Sequence, residues 1–241
     1  MPTAADYRRH YEDFTTSILH LCTDPGVRRD LKDGRGRPVK ECTRMHRYLT
    51  VRTAGHSQRR AHYTTASLIA LVDPLQEART RPYPPAAPGQ PSATGGTGEA
   101  SAAPPPGAGP PSPATTPPPP VATPPTAHTT ASPGELDRYT AALWRRRPNL
   151  GTTLARAVRR GGFNEDRTDD LLHVLVAVGD DHLHQYLLPS LTDRLLACGL
   201  ELDWPVLLDD LAARTFDADE VSTRWLDAFY LTLTPPTNGP S

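Results

Sequence analysis

Hydrophobic residues in the first 82 positions recur at helical spacing. The first run spaces its apolar residues four, three, four and three positions apart, which puts them on one face of an α-helix. Its members are Tyr7, Tyr11, Phe14, Ile18 and Leu21. Thr3 precedes the run as a capping residue. A second helix should begin at Asp24-Pro25, where a capping carboxylate precedes proline, and should end near Gly34.

Two more helices complete the pattern in this part of the chain. Apolar residues three, three and four apart predict a third helix after the Gly34-to-Pro38 turn, with Val39, Cys42, Met45 and Leu49 on its buried face. A fourth helix is expected from about Ser57 to Val72. We therefore expect a four-helix lobe over residues 1–82.

The pattern resumes in the last hundred residues. Asn149 and Asn164 should each cap a helix, and Asp203 before Trp204-Pro205 should start a later one. Shorter helices are expected around Pro189. The last helix, from about residue 219 to 233, aligns apolar residues at spacings of four, namely Val221, Trp225 and Phe229. No run alternates with period two. The pattern predicts an all-α protein with a second lobe over residues 135–234 and a tail over 235–241.

Composition separates the two lobes. Of the 28 prolines in 241 residues, 17 fall between residues 83 and 134, together with 7 glycines, a bias typical of low-complexity chain. We predict that residues 83–134 form a disordered, partly polyproline II linker between two small helical bundles. The simplest role of this tract is a solvated spacer.

The formal net charge is only −1 because the charges of a basic first lobe and an acidic second lobe cancel. Residues 1–82 carry 15 Lys and Arg against 9 acids, whereas residues 135–241 carry 11 Arg against 17 acids. Most of the basic residues form two clusters that flank the linker. Arginines spaced three and four apart on a helix can follow a phosphate backbone without reading bases. The candidate nucleic-acid-binding residues are Arg28, Arg29, Lys32, Arg35, Arg37, Arg44, Arg47, Arg156, Arg159, Arg160 and Arg167.

The usual signatures of enzymes and metal sites are missing from the sequence. It contains no phosphate-binding lysine loop, no serine nucleophile elbow and no zinc-protease helix. His182, His184 and their acidic neighbours predict no metal site, because residues two apart on a helix point to different faces. Adjacent acids such as Asp209 and Asp210 diverge in the same way. We expect no catalytic residue, no metal and no cofactor. The lack of a signal peptide or an apolar span predicts a cytoplasmic protein that does not bind membranes.

Several segments, in order, resemble the CasB family, the small subunit of the type I-E CRISPR Cascade complex. In the second lobe the resemblance rests on Asn149 to Ala155, on Asn164-Glu165 with Arg167, on Leu202 to Pro205, and on Phe229 to Thr232. In the first lobe it rests on Gly36 to Val39, Arg44 to Leu49 and Ala61 to Ala70.

The resemblance implies an all-helical, non-catalytic subunit that helps to stabilise the R-loop. Its partners would be the backbone and large subunits, a second copy of itself, crRNA, and target DNA including the displaced strand. By position, Arg28 and Arg29 match a basic pair of the family, and Arg47 lies in a matched helix. Arg156, Arg160 and Arg167 lie in or just after the matched Leu-Gly helix.

Two other functions fit parts of the sequence. A helical adaptor could use its lobes to bind proteins and its proline tract to recruit a third partner, with the arginines serving solubility. A dimeric helix-turn-helix regulator would need a recognition helix with side chains directed at base edges, and no segment provides one well. Nucleic-acid backbone binding is therefore the main hypothesis, with the adaptor as its alternative.

Overall fold

The computed structural model describes residues 3–72 and 141–234, and within those ranges the chain is helical and has no strand. The first lobe contains α1 (Ala4–Leu21), α2 (Pro25–Asp33), a 3₁₀ turn (Val39–Glu41), α3 (Thr43–Leu49) and α4 (Arg59–Ile69). The prediction of an all-α protein is confirmed. The predicted linker, residues 83–134, and the predicted tail, residues 235–241, lie outside the described residues.

The second lobe, as far as the structure describes it, begins with helical residues 141–146 and continues through seven further elements. They are α5 (Leu150–Arg159), α6 (Glu165–Ala177), the short α7 (Asp180–His182), a π-helical segment (Leu183–Leu187), α8 (Leu188–Ala197), α9 (Trp204–Arg214) and α10 (Ala218–Leu233). Among the described residues, no helix combines the length and apolar character needed to cross a bilayer.

Side-chain caps start most of the longer helices, as the sequence predicts. The Thr3 hydroxyl accepts from the Asp6 amide and the Asp6 carboxylate accepts in return from the Thr3 amide, which completes a capping box. The predicted caps of α2, α5, α6 and α9 are confirmed in the same way, and they are Asp24, Asn149, Asn164 and Asp203. Each satisfies an amide at a helix start that otherwise lacks a partner.

Helix α4 is the most buried helix of the first lobe. Every residue from Ala61 to Ala70 is buried, so this segment has no polar face toward solvent. It packs against α1 and α2 of its own lobe and against α9 of the second lobe. Helix α9 also packs against α1. The described residues of both lobes therefore share one hydrophobic core within one compact unit.

Polar contacts reinforce the packing between the lobes. Arg147 donates to both oxygens of Asp203 at 2.8 and 2.7 Å and to Glu12 of α1 at 2.6 Å. The imidazole of His184 shares a buried 2.8 Å hydrogen bond with the hydroxyl of Thr64 in α4. Because the His184–Thr64 pair is buried, each of these two groups needs its partner from the other lobe to remain satisfied.

The predicted third helix is interrupted at Cys42. This residue adopts ψ 47°, outside the helical region, so the chain forms a 3₁₀ turn over Val39–Glu41 before α3 begins. The interruption directs the buried thiol toward the backbone carbonyls of Gly34, Arg37 and Pro38, at 3.4 to 3.7 Å. The apolar spacing continues through the break, and so the sequence pattern alone predicts one helix instead of two.

Pro189 explains the π-helical segment before α8. Proline has no amide hydrogen to donate to the carbonyl four residues earlier, which belongs to Gln185, and its ring crowds that carbonyl. Gly36 of the first lobe contacts this same carbonyl, with φ at +72°. A Cβ at position 36 would lie 2.4 Å from the Gln185 oxygen, so only glycine fits this turn against the second lobe.

We expect acid to weaken the contact between the lobes at His184. Burial, aided by the positive charge of Arg60, lowers the pKa of His184 from 6.5 to about 4. Between those values the unfolded chain binds more protons than the folded chain, so stability is complete above pH 6.5 and falls as the pH drops toward 4. At pH 5 the loss due to this residue should be about 2 kcal/mol.

Urea unfolding of the wild type and of His184→Asn at pH 7.5 and pH 5 measures this contribution. Asparagine can still hydrogen bond to Thr64 but does not titrate. The drop in unfolding free energy between the two pH values should be about 2 kcal/mol smaller in the variant. An equal drop in both proteins would contradict the role assigned to His184.

Candidate nucleic-acid interface

The outer face of α5 carries the arginines of the second basic cluster. Arg156 and Arg159 lie on this helix, Arg160 caps its C-terminal end, and all three are exposed. Arg156 shares a helix face with the other two because they follow it by three and four positions. Within the described residues, none of the three side chains forms a hydrogen bond or an ion pair. They are free to bind an external anion.

The inner face of α5 is anchored to α10, which fixes the direction of the arginines. Leu150, Leu154 and Ala157 are buried on this face. Asn149 accepts from the Thr152 amide at 3.0 Å, and its own amide group donates to the Arg224 carbonyl of α10 at 3.1 Å. One side chain therefore caps α5 and ties it to its neighbour.

Gly151 sets the closeness of the contact between α5 and α10. A Cβ at this position would lie 1.9 Å from the carbonyl oxygen of Trp225 and 3.0 Å from its Cα. The obstacle is the backbone of a packed helix, which cannot turn away as a side chain can. A side chain at position 151 would therefore push α5, and the arginines on it, away from the core.

Two further arginines lie near the C-terminal end of α5. Arg167 is exposed in the first turn of α6, where its amide donates to Asn164, but acidic residues share that turn. The guanidinium of Arg194 in α8 lies 4.5 Å from the ring centre of Phe163, in the turn between α5 and α6. Arg194 is absent from the predicted set because it stands alone in sequence, and only its contact with Phe163 places it beside the cluster.

Four of the seven candidates in the first lobe already have partners in the protein. Arg28 donates to the Ala70 carbonyl at 3.0 Å, and Arg35 pairs with Asp193 at 2.6 Å. Arg44 pairs with Asp33 at 3.1 Å, and Arg47 with Asp30. The side chains of Arg44 and Arg47 remain more than 60% exposed. Each paired carboxylate offsets positive charge that the sequence assigns to phosphate binding.

The other three candidates of the first lobe are exposed and unpaired. Arg29 and Lys32 lie on α2, and Arg37 lies in the turn that follows. Over residues 3–72 and 141–234, their side chains form no ion pair or hydrogen bond. The free candidates of this lobe therefore lie on α2 and in the turn after it, whereas the arginines of α3 are bound to acidic partners.

Helix α8 and the segment before it contact both basic clusters. Asp193 pairs with Arg35 of the first lobe, and the next residue, Arg194, lies over Phe163 beside the end of α5. The Gln185 carbonyl contacts Gly36 in the same turn as Arg35. These contacts place both basic segments against the same helix, although about half of the chain separates them in sequence.

The acidic pair in α9 is bound within the core. Asp209 accepts from the Trp144 indole at 2.9 Å, and Asp210 accepts from the Trp225 indole at 2.6 Å and from Arg224 at 2.9 Å. Burial raises the pKa of Asp210 to about 6, while the charge of Arg224 opposes the rise. The two carboxylates point to different neighbours, so the shifted pKa is explained by packing and does not indicate an acid–base couple.

The chain matches known proteins in its overall fold and not in its overall sequence. No family model matches the sequence, and no curated protein matches it. Solved structures that match its fold include a chain of a CRISPR RNA-guided surveillance complex in a pre-nicking state and a chain of a CRISPR RNA-guided surveillance complex. The first has a TM-score of 0.62 and 21% sequence identity, and the match covers 94% of this chain and 94% of that chain. The second has a TM-score of 0.61 and 22% identity, and the match covers 94% of this chain and 95% of that chain. This chain therefore shares its fold with these two chains.

Proposed function

We propose that this protein is the small subunit of a Cascade-type, RNA-guided CRISPR surveillance complex. The observation that carries the proposal is the fold likeness, which extends over 94% of this chain and 94% of the chain it matches. The order of the sequence segments that resemble CasB adds independent support. The proposed partners are the backbone and large subunits, a second copy of the protein, crRNA and target DNA. We place its action in the cytoplasm, without a membrane or a cofactor.

The proposed activity is binding without catalysis. The three free arginines on α5 would contact phosphates of a nucleic-acid strand and release its bound counterions, which makes binding favourable and strongly salt-dependent. Their contacts do not distinguish bases. Sequence recognition would come from pairing between the guide and the target strand. The protein would therefore hold whichever strand the guide has opened.

Backbone binding can stabilise an R-loop because strand exchange is nearly balanced. The guide–target heteroduplex is about as stable as the DNA duplex that it replaces, so a modest preference for the open state decides the outcome. A subunit that binds the displaced strand better than the reannealed duplex supplies that preference. The packing of α5 against α10 supports this role, since the helix that carries the arginines is already held in place before binding.

The first lobe would extend the same surface. Arg29, Lys32 and Arg37 are free to contact phosphate, and α8 holds their lobe beside the α5 cluster. Arg44 and Arg47 would contribute less net attraction because Asp33 and Asp30 neutralise them. We therefore rank the α5 arginines first among the proposed contacts and the α3 arginines last.

Reconstitution tests the proposed membership of the complex. Purified protein is mixed with crRNA-loaded Cascade that lacks its small subunit, and the product is analysed by size-exclusion chromatography and native mass spectrometry. We expect stoichiometric incorporation and slower reannealing of the displaced strand, detected by permanganate footprinting. Failure to incorporate would overturn the proposal and favour the adaptor function.

A further inference from the structure

Three histidines that are far apart in sequence meet at the edge of the first lobe. His10 lies on α1, His56 in the loop between α3 and α4, and His62 on α4. One ring nitrogen from each lies within 4.8 Å of the others, and no other set of three or more metal-ligating side chains within residues 3–72 and 141–234 converges in this way. The histidines around His184, which the sequence places together, do not converge in this way.

His62 has the hydrogen-bond arrangement of a metal ligand. Its Nδ1 lies 2.9 Å from the Gln58 carbonyl oxygen, which can only accept, so Nδ1 carries the hydrogen. In the neutral ring Nε2 then carries a lone pair. Histidines that bind metals commonly donate the other ring hydrogen to a backbone carbonyl, which fixes both the tautomer and the ring orientation. The fully buried ring of His62 is held in this state by α4 itself.

His10 faces the same point as His62. The two Nε2 atoms are 2.9 Å apart, a distance at which at least one of them must lack a hydrogen. The rings of His10 and His56 stack at 3.9 Å with planes 12° apart. The Asp13 carboxylate, one turn along α1, acts electrostatically on His10. Three imidazoles and one nearby negative charge favour a divalent cation of the kind that imidazole binds.

We propose that His10, His56 and His62 bind a divalent transition-metal ion of the Zn²⁺ class. Bonds of about 2.0 to 2.1 Å in tetrahedral geometry place two ligand nitrogens about 3.3 Å apart. The His10 and His62 Nε2 atoms need to separate by only a few tenths of an ångström, and the His10 hydrogen moves from Nε2 to Nδ1. His56 turns its ring out of the stack, since two parallel rings cannot direct lone pairs at one ion. Water completes the fourth position.

The ion would cross-link α1, α4 and the loop that carries His56. Helices α1 and α4 both pack against α9, so metal binding would stabilise the part of the first lobe that contacts the second lobe. A ligand that binds only the folded state raises its stability in proportion to the logarithm of its concentration. This inference rests on the histidine cluster alone and is independent of the proposed function.

Metal titration of the full-length protein tests the site. Purified metal-free protein is titrated with Co²⁺, whose visible spectrum reports tetrahedral ligation, and with Zn²⁺ by calorimetry. We expect one ion per chain and a higher melting temperature with Zn²⁺ but not with Mg²⁺, which prefers oxygen ligands. His56→Ala should weaken binding at least about tenfold, the smallest effect common even for residues that only support ligands. His10→Ala should weaken it further.

His20→Ala is the matched control, because His20 is exposed on the same helix as His10 and lies outside the cluster. Its affinity should remain within about twofold of the wild type. His56 lies in a loop, so His56→Ala should remain folded, as judged by circular dichroism. Its Zn²⁺ affinity can therefore be measured even if His10→Ala unfolds. The proposal is overturned if the wild type binds no stoichiometric Zn²⁺, if His56→Ala binds as tightly as the wild type, or if His20→Ala loses as much affinity.

Discussion

Replacing Arg156, Arg159 and Arg160 together by alanine should weaken the binding of single-stranded DNA about 100-fold at 0.1 M salt. Each phosphate contact contributes about 0.7 to the slope of log K against log salt, so three lost contacts flatten that slope by about 2. The loss should be the same for strands of different sequence, because the contacts do not read bases. Fluorescence anisotropy with labelled oligonucleotides at 50 to 300 mM salt measures both the affinity and the slope.

Two control variants separate charge from folding. The triple lysine variant of the same positions keeps the charge and should keep most of the salt slope. Arg52→Ala removes an exposed arginine whose side chain already donates to Ser17 and to the Tyr48 carbonyl, and its affinity should stay within about twofold of the wild type. An unchanged salt slope in the triple alanine variant would remove the α5 face from the proposed interface.

Substituting Gly151 by alanine should lower the free energy of unfolding by about 3 kcal/mol. The added methyl group would lie 1.9 Å from the carbonyl oxygen of Trp225. Overpacking usually destabilises a protein by about 1 to 3 kcal/mol, and we expect the upper end of that range because a helix backbone cannot move aside as a side chain can. To relieve the contact, α5 must move away from α10, which also disturbs the orientation of its arginines. Urea unfolding followed by circular dichroism measures the change.

Gly179→Ala provides the matched control for this substitution. Gly179 has φ −68°, an ordinary value for any residue, and no atom lies within 4 Å of the position of its missing Cβ. Alanine there should change stability by less than about 1 kcal/mol in either direction, because it restricts the unfolded chain but is a poorer helix N-cap than glycine. Equal stability of Gly151→Ala and Gly179→Ala would contradict the close approach of α5 and α10.

Features that depend on neighbouring residues could be predicted from the sequence. The caps at Thr3, Asp24 and Asn149 act within three positions of themselves, so their side chains and the apolar spacing that follows are sufficient to locate helix starts. The sequence pattern does not predict the interruption at Cys42, because the apolar spacing on both sides continues through it. Local patterns thus identify helices better than they identify breaks in helices.

Features that depend on distant residues could not be predicted in this way. The carboxylates that neutralise Arg35 and Arg47 come from other helices, and nothing in the spacing of basic residues indicates them. The three-histidine cluster and the closeness of Gly151 to Trp225 arise only when helices from separate parts of the chain pack together. The sequence thus indicated which residues could bind phosphate, and the packing indicated which of them are free.

The shared core has a consequence for the length of the chain between the lobes. Because α9 packs directly on α1 and α4, contacts between these helices hold the described parts of the two lobes together. The entropic cost of closing a flexible connection rises only with the logarithm of its length, about 0.6 kcal/mol for each doubling. Related chains can therefore gain or lose dozens of residues at this point at little cost in stability.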